Sequence, residues 1–166
     1  INQMSLFQKL QQRAEENKPI LVGMIGIGKF SSMYLAQVPN TPGVEVVGVA
    51  DLSPSQAKSN LLQVGWKGER LSVDSLNDAI SLGRTYVTDD WEALVEHPAI
   101  DVIVESTGSP TDAVDHILAA FAHGKHVVNV TVEADAFCGP LLAKKASSAG
   151  VIYSLAFGDQ PVSYTH

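Results

Sequence analysis

Ile20-Leu21-Val22-Gly23-Met24-Ile25-Gly26-Ile27-Gly28-Lys29-Phe30-Ser31-Ser32 decides how the rest of the chain is read. Residues 20–25 are almost all apolar, the pattern of a strand buried on both faces, and a glycine turn follows at once before a helix-compatible segment. Strand, glycine turn, helix is the order in which a G-x-G-x-x-G turn holds the pyrophosphate of a dinucleotide. Gly26 allows the tight turn, and Gly28 lets the pyrophosphate approach the backbone. Ser31 occupies the third position, a small residue where Gly or Ala is usual for close helix–strand packing. Lys29 either adds a positive charge beside the turn or is simply solvated. Phe30 starts the apolar side of the next helix, with Met33 and Tyr34, and is placed with the turn among the cofactor-binding candidates.

Outward from this turn, strands alternate with helices. Strands are expected at 20–25, 44–50, 85–88, 101–105, 126–131 and 151–155. A short amphipathic helix at 5–14, with Leu6, Phe7, Leu10 and Ala14 on one side, precedes the first strand. Ser53-Pro54 supplies an N-cap and a first-turn proline for the helix after the second strand, and Gly65 follows its end. Residues 66–84 read as an insertion before the third strand, with a helix at 74–82 that turns Leu76, Ala79 and Ile80 inward. Asp89 or Asp90 caps a helix stopped by His97-Pro98. Val114, Ile117, Leu118 and Phe121 give the next helix its apolar side, and a last helix is expected at 139–149. This alternation specifies an α/β domain, a doubly wound parallel sheet of Rossmann type with strand order 3-2-1-4-5-6.

Size and charge restrict what such a domain meets. At 166 residues the chain has the length of one domain, and 45% hydrophobic with 17% charged residues describes a globular chain. Eleven basic and 18 acidic side chains give a net charge of −7, which argues against nucleic acid or an anionic membrane as the main partner. A phosphate ligand is not excluded, because helix N-terminal N–H groups bind one without cationic side chains. The single cysteine, Cys138, rules out an internal disulfide and a multi-cysteine metal site, and fits a reducing cytoplasm. Lys9 and Arg13 interrupt the first segment, so no signal peptide is expected, and no apolar run approaches membrane-spanning length. The five histidines show no zinc spacing and read as surface or terminal residues.

Three places at the carboxyl edge of the sheet carry candidate chemistry. Asp51 ends the second strand, where a carboxylate accepts hydrogen bonds from the adenosine ribose hydroxyls and repels a 2′-phosphate, favouring NAD over NADP; it could equally help cap the helix begun by Ser53-Pro54. Ser106-Thr107-Gly108 follows the fourth strand, either beside the nicotinamide half of the cofactor or as an ordinary strand-to-helix turn. Glu133 and Asp135, in the loop expected after the fifth strand, could relay protons, bind a substrate hydroxyl or help hold a metal; as helix N-terminal acids they would only favour the helix dipole. Gly158-Asp159-Gln160-Pro161 is a turn whose position would line the same edge.

These residues together resemble the nucleotide-binding half of homoserine dehydrogenase-like oxidoreductases, from about Leu6 to Pro161. The resemblance rests on the 22–30 turn, on Val47-Gly48-Val49-Ala50-Asp51-Leu52-Ser53-Pro54, on Glu105-Ser106-Thr107-Gly108-Ser109-Pro110 and on Gly124-Lys125-His126-Val127-Val128. Val132-Glu133-Ala134-Asp135 and Gly158-Asp159-Gln160-Pro161 are most similar to the branch that carries a C-terminal SAF-type domain and includes deoxyxylulose-phosphate reductoisomerase-like enzymes. The resemblance implies one NAD(P)-binding domain over 1–166, with the substrate domain outside this chain. It implies NAD or NADP as cofactor, and hydride transfer with a carbonyl or alcohol of a small metabolite, phosphorylated or not. The lysine that homoserine dehydrogenases place after the fifth strand is replaced here by Asn129-Val130-Thr131-Val132-Glu133, which points away from homoserine as substrate. A homo-oligomer is compatible with this reading. The alternative from another class is a dinucleotide-sensing regulatory domain without a reaction of its own.

Overall fold

The computed structural model describes residues 6–28 and 32–155. Thirteen helices and strands are laid out there, joined by two short 3-10 turns. They are α1 (Leu6–Glu15), β1 (Ile20–Ile25), α2 (Ser32–Gln37), β2 (Val44–Ala50), α3 (Pro54–Gln63), α4 (Leu76–Leu82), β3 (Tyr86–Thr88), α5 (Trp91–Glu96), β4 (Val102–Glu105), α6 (Pro110–Ala122), β5 (His126–Asn129), α7 (Val132–Ala149) and β6 (Tyr153–Leu155). All strand pairs are parallel and the order is β3-β2-β1-β4-β5-β6, the doubly wound arrangement expected. The order reverses between β1 and β4, and there the loops from neighbouring strands diverge and leave a crevice. Ala50, Ile25, Glu105 and Asn129 are successive register partners, so the carboxyl ends of four strands share one edge.

Successive residues of a strand point to opposite faces, and here both faces are covered. Ile25, Val47, Ile103 and Val127 pack with Leu94, Ile117 and Leu142 in one core. Met24, Val46 and Val49 pack with Ala57, Leu61 and Trp66 in the other. Each fully buried Leu or Ile contributes about 1.5–3 kcal/mol, so the central strands hold the fold while the loops at their ends are left to bind. Among the described residues the buried side-chain polar atoms are partnered, except Arg70 Nε and Asn129 Oδ1. Trp66 Nε1 donates to the Leu35 carbonyl at 2.6 Å. The buried Lys125 donates to the carbonyls of His97 and Ile100 at 2.6 and 2.7 Å, tying α5 to the amino end of β5. Burial lowers its pKa, with Asp101 opposing that shift.

The helix within the insertion before β3 begins later than its sequence suggests. Ser75 is the N-cap of α4 and accepts the Asp78 N–H at 3.1 Å, so the helix starts at Leu76 rather than at Asp74. Asp90, not Asp89, caps α5.

The larger correction concerns α7, which begins at Val132 and not at Gly139. Gly139-Pro140 reads as a helix breaker, yet the helix runs through it. Ala134, Cys138, Leu142 and Ala146 recur every fourth residue and keep one side against the core across the proline. That packing outweighs the one hydrogen bond that Pro140 cannot donate. Glu133 and Asp135 therefore sit on the first turn of a helix, not in a loop. No helix of the described residues is long and apolar enough to cross a membrane. The side chains of Leu6, Phe7, Leu10 and Met33 lie outside the described residues.

Candidate functional site

The crevice between β1 and β4 is built by two turns locked to each other. Gly26 has φ +73°, and its N–H donates to the Ala50 carbonyl at 2.7 Å. A β-carbon on Gly26 would lie 2.7 Å from Thr107 Cα and 2.8 Å from Thr107 N, so only glycine lets the two turns meet. Ser106 seals the contact from below: it is buried, and its hydroxyl donates to the Gly26 carbonyl. Gly28 is different. Among the described residues a β-carbon there meets nothing nearer than the Thr107 carbonyl at 4.0 Å, which leaves room for a ligand over the backbone. Lys29, Phe30 and Ser31 lie outside the described residues, as does Gly158-Asp159-Gln160-Pro161.

Asp51 stands half-buried at the end of β2. One carboxylate oxygen accepts the Ser53 N–H at 3.1 Å and fixes the entry to α3. The other oxygen carries no hydrogen bond among the described residues. The capping role and a ligand role thus use different oxygens of one side chain.

Glu105, at the end of β4, has no exposed surface. Its Oε1 accepts the Thr107 N–H at 2.7 Å, the Thr107 hydroxyl at 2.6 Å and the Thr131 hydroxyl at 3.1 Å. Thr107 Oγ1 in turn accepts the Ser109 N–H, and Thr131 Oγ1 accepts the Gly108 N–H, so both hydroxyl protons are free to point at Glu105. Oε2 meets His116 Nδ1 at 2.5 Å. With Glu105 as the acceptor on both oxygens, His116 Nδ1 carries the proton between them. The Gly108 N–H is thereby held by Thr131.

His116 corrects the expectation of a surface histidine. It is 8% exposed, and Trp91 packs on its ring at 4.4 Å between centroids. Glu105, His116, Trp91 and Thr131 were all missed as site residues. A signal existed for one of them: His116 falls with Ala113, Ile117 and Ala120 on the buried side of α6.

The described part of the crevice is a cleft of about 340 Å³. It brings together Gly26, Gly28, Asp51 and Thr107 with Trp91 and His116, and its charged rim is acidic, with Asp51, Asp89 and Asp112. Ser106, Gly108, Glu133 and Asp135 do not line it. Asp135 is on the β5–α7 side, where its Oδ1 accepts the Tyr153 hydroxyl at 2.9 Å, while Asn129 Nδ2 donates to that hydroxyl oxygen at 3.0 Å. Glu133 is exposed on the same helical turn. Among the described residues no cluster of His, Cys, Asp or Glu could hold a metal ion.

Burial raises the Tyr153 pKa well above 10.0, helped by the Asp135 charge and hydrogen bond and opposed by Asn129. The folded state therefore keeps a proton that the unfolded chain releases near pH 10. This contribution to stability is complete below pH 10 and is lost as pH rises further. Tyr153→Phe is expected to lose less stability than the native chain between pH 8 and pH 11, read as the narrowing gap between their urea midpoints.

The sequence matches a family described as the homoserine dehydrogenase NAD-binding domain over residues 22–155. The homoserine dehydrogenase of Methylobacillus glycogenes is 31% identical over 137 residues, covering 80% of this chain and 30% of that protein. Among solved structures, a homoserine dehydrogenase from Thiobacillus denitrificans superposes with a TM-score of 0.61 at 22% identity, over 83% of this chain and 29% of that one. The biliverdin reductase of Synechocystis sp. PCC 6803, solved with biliverdin and NADP+, superposes with a TM-score of 0.56 at 19% identity, over 82% of this chain and 37% of that one. At such identities the two structures speak for the fold alone. The chain spans less than a third of the length of the curated relatives it matches.

Proposed function

The chain belongs to the homoserine dehydrogenase NAD-binding domain family, and from that premise we propose that it is the cofactor-binding unit of an NAD-dependent oxidoreductase acting on a small metabolite. One observation carries this reading: the Gly26–Gly28 turn, Asp51 and Thr107 face one cleft at the point where strand order reverses. The cleft fits a dinucleotide because, among the described residues, the backbone at Gly28 is open to approach and Asp51, lining the same cleft, has one carboxylate oxygen without a partner. When bound, the nicotinamide supplies the hydride chemistry, exchanging hydride with a carbonyl or alcohol carbon. This chain's own residues bind and orient: the turn at Gly26–Gly28 takes the pyrophosphate, Asp51 the ribose hydroxyls, and Thr107, backed by Gly108, the span between the two halves.

Three carboxylates, Asp51, Asp89 and Asp112, line the cleft, and no lysine or arginine of the described residues does. A 2′-phosphate placed among them meets like charge without a partner, which favours NAD over NADP. Glu133 and Asp135, on the β5 side of the edge, stand as the candidates for the proton that accompanies hydride transfer. Tyr153 orients Asp135, and Glu133 is the more accessible of the two. The Val132-Glu133-Ala134-Asp135 run supports the SAF-type branch over homoserine dehydrogenase proper, and the single cysteine supports a cytoplasmic setting.

Calorimetric titration of the 166-residue chain with NADH and NADPH tests the proposal. NADH is expected to bind about tenfold more tightly than NADPH, equivalent to about 1.4 kcal/mol, and Asp51→Ser to narrow that gap. Binding of neither dinucleotide overturns the reading.

A further inference from the structure

The floor of the cleft carries a polar atom that neither the fold nor hydride transfer uses. His116 is more than nine-tenths buried and lines the cleft. Its Nδ1 is committed to Glu105, and among the described residues its Nε2 has no hydrogen-bond partner. Glu105 fixes the neutral ring as the tautomer with hydrogen on Nδ1 and a lone pair on Nε2, and the indole of Trp91 fixes the ring's tilt at 56°. Ile25, Ala50 and Trp91 give the cleft apolar walls inside its acidic rim, and Leu52 is fully exposed at that rim. Apolar walls with a directed acceptor in the floor suit a flat heteroaromatic base that carries an exocyclic amino group.

We propose that His116 reads the adenine base of the dinucleotide, accepting a hydrogen bond from the 6-amino group at Nε2. The assignment rests on the proposed cofactor role of the cleft. With the pyrophosphate over Gly26–Gly28 and the ribose at Asp51, the base attached to that ribose is the part left to enter the slot between Leu52 and Trp91. Glu105 acts here as a positioning residue, through the tautomer it imposes.

The test replaces the 6-amino group by a 6-oxo group, using reduced nicotinamide hypoxanthine dinucleotide beside NADH. At pH 8 the 6-oxo lone pairs face the Nε2 lone pair, and the chain is expected to prefer NADH about tenfold. His116→Phe is expected to bind the two dinucleotides within about twofold of each other at the same pH. Equal binding of both by the native chain at pH 8 overturns the inference while leaving the cofactor assignment standing. If neither dinucleotide binds, the cofactor assignment fails and this inference with it. Should His116→Phe not fold, the native comparison at pH 8 decides alone.

Discussion

Gly26→Ala is expected to weaken NADH binding at least 100-fold and to destabilise the chain by about 2–4 kcal/mol, summed from the left-handed backbone and the overpacking. At φ +73° an alanine loses about 1 kcal/mol to its own backbone. The added carbon also lies 2.7 Å from Thr107 Cα and 2.8 Å from Thr107 N. Those are backbone atoms with no rotamer to change, and Ser106 and Glu105 hold them in place from beneath. Relief can come only by separating the β1 turn from the β4 turn, which widens the cleft where the pyrophosphate should sit. Gly28→Ala provides the contrast. Its β-carbon has 4.0 Å of clearance from the nearest atom of the described residues, so stability should hold within about 0.5 kcal/mol while binding falls by a similar factor. Urea unfolding and calorimetry on both variants separate a turn that must be glycine for the fold from one that must be glycine for the ligand. Unchanged NADH affinity in Gly26→Ala would sink the assignment of the turn.

The sheet was legible because its strands are short apolar runs ended by turn residues, and because right-handed crossovers leave few ways to order them. Strands β1 and β2 begin and end where their residues predict. The start of α7 was not legible: Gly139-Pro140 is a strong local stop, and the stripe of Ala134, Cys138, Leu142 and Ala146 that overrides it gains its energy only from a sheet already formed. The same division separates the parts of the site. Gly26, Gly28 and Asp51 are visible in sequence because their roles are set by position along one strand and turn. Ser106 reads in sequence either as a cofactor contact or as part of an ordinary turn, and only the folded chain shows its hydroxyl bonded to the Gly26 carbonyl across the switch point. Glu105 and His116 are eleven residues apart, on a strand and on the second turn of the helix after it, and they meet only because α6 folds back over β4. A glutamate that ends an apolar strand looks solvent-facing until Thr107, Thr131 and His116 close around it.

Glu105→Ala is expected to destabilise the chain by about 3–5 kcal/mol, the largest effect of any single side chain at this edge. Four donors converge on the carboxylate from three elements: Thr107 from the β4 turn, Thr131 ahead of α7, and His116 from α6. Alanine leaves them buried without an acceptor, and each unpaired group costs about 1–3 kcal/mol before the surroundings relax. Glu105→Gln should cost less, about 1–2 kcal/mol, because one amide oxygen still accepts from Thr107 and Thr131. Its amino group, however, then points at His116 Nδ1, and two N–H groups cannot share that contact. The imidazole can answer by moving its own proton to Nε2, so that Nδ1 accepts from the amide. Nitrogen-15 chemical shifts of the ring would show the exchanged tautomer directly, and urea midpoints would give the two costs. A Glu105→Gln chain as unstable as Glu105→Ala would mean that the negative charge itself, rather than the set of acceptors, holds the three elements together. A chain that keeps its ring proton on Nδ1 would mean that Glu105 does not set the face His116 turns to the cleft.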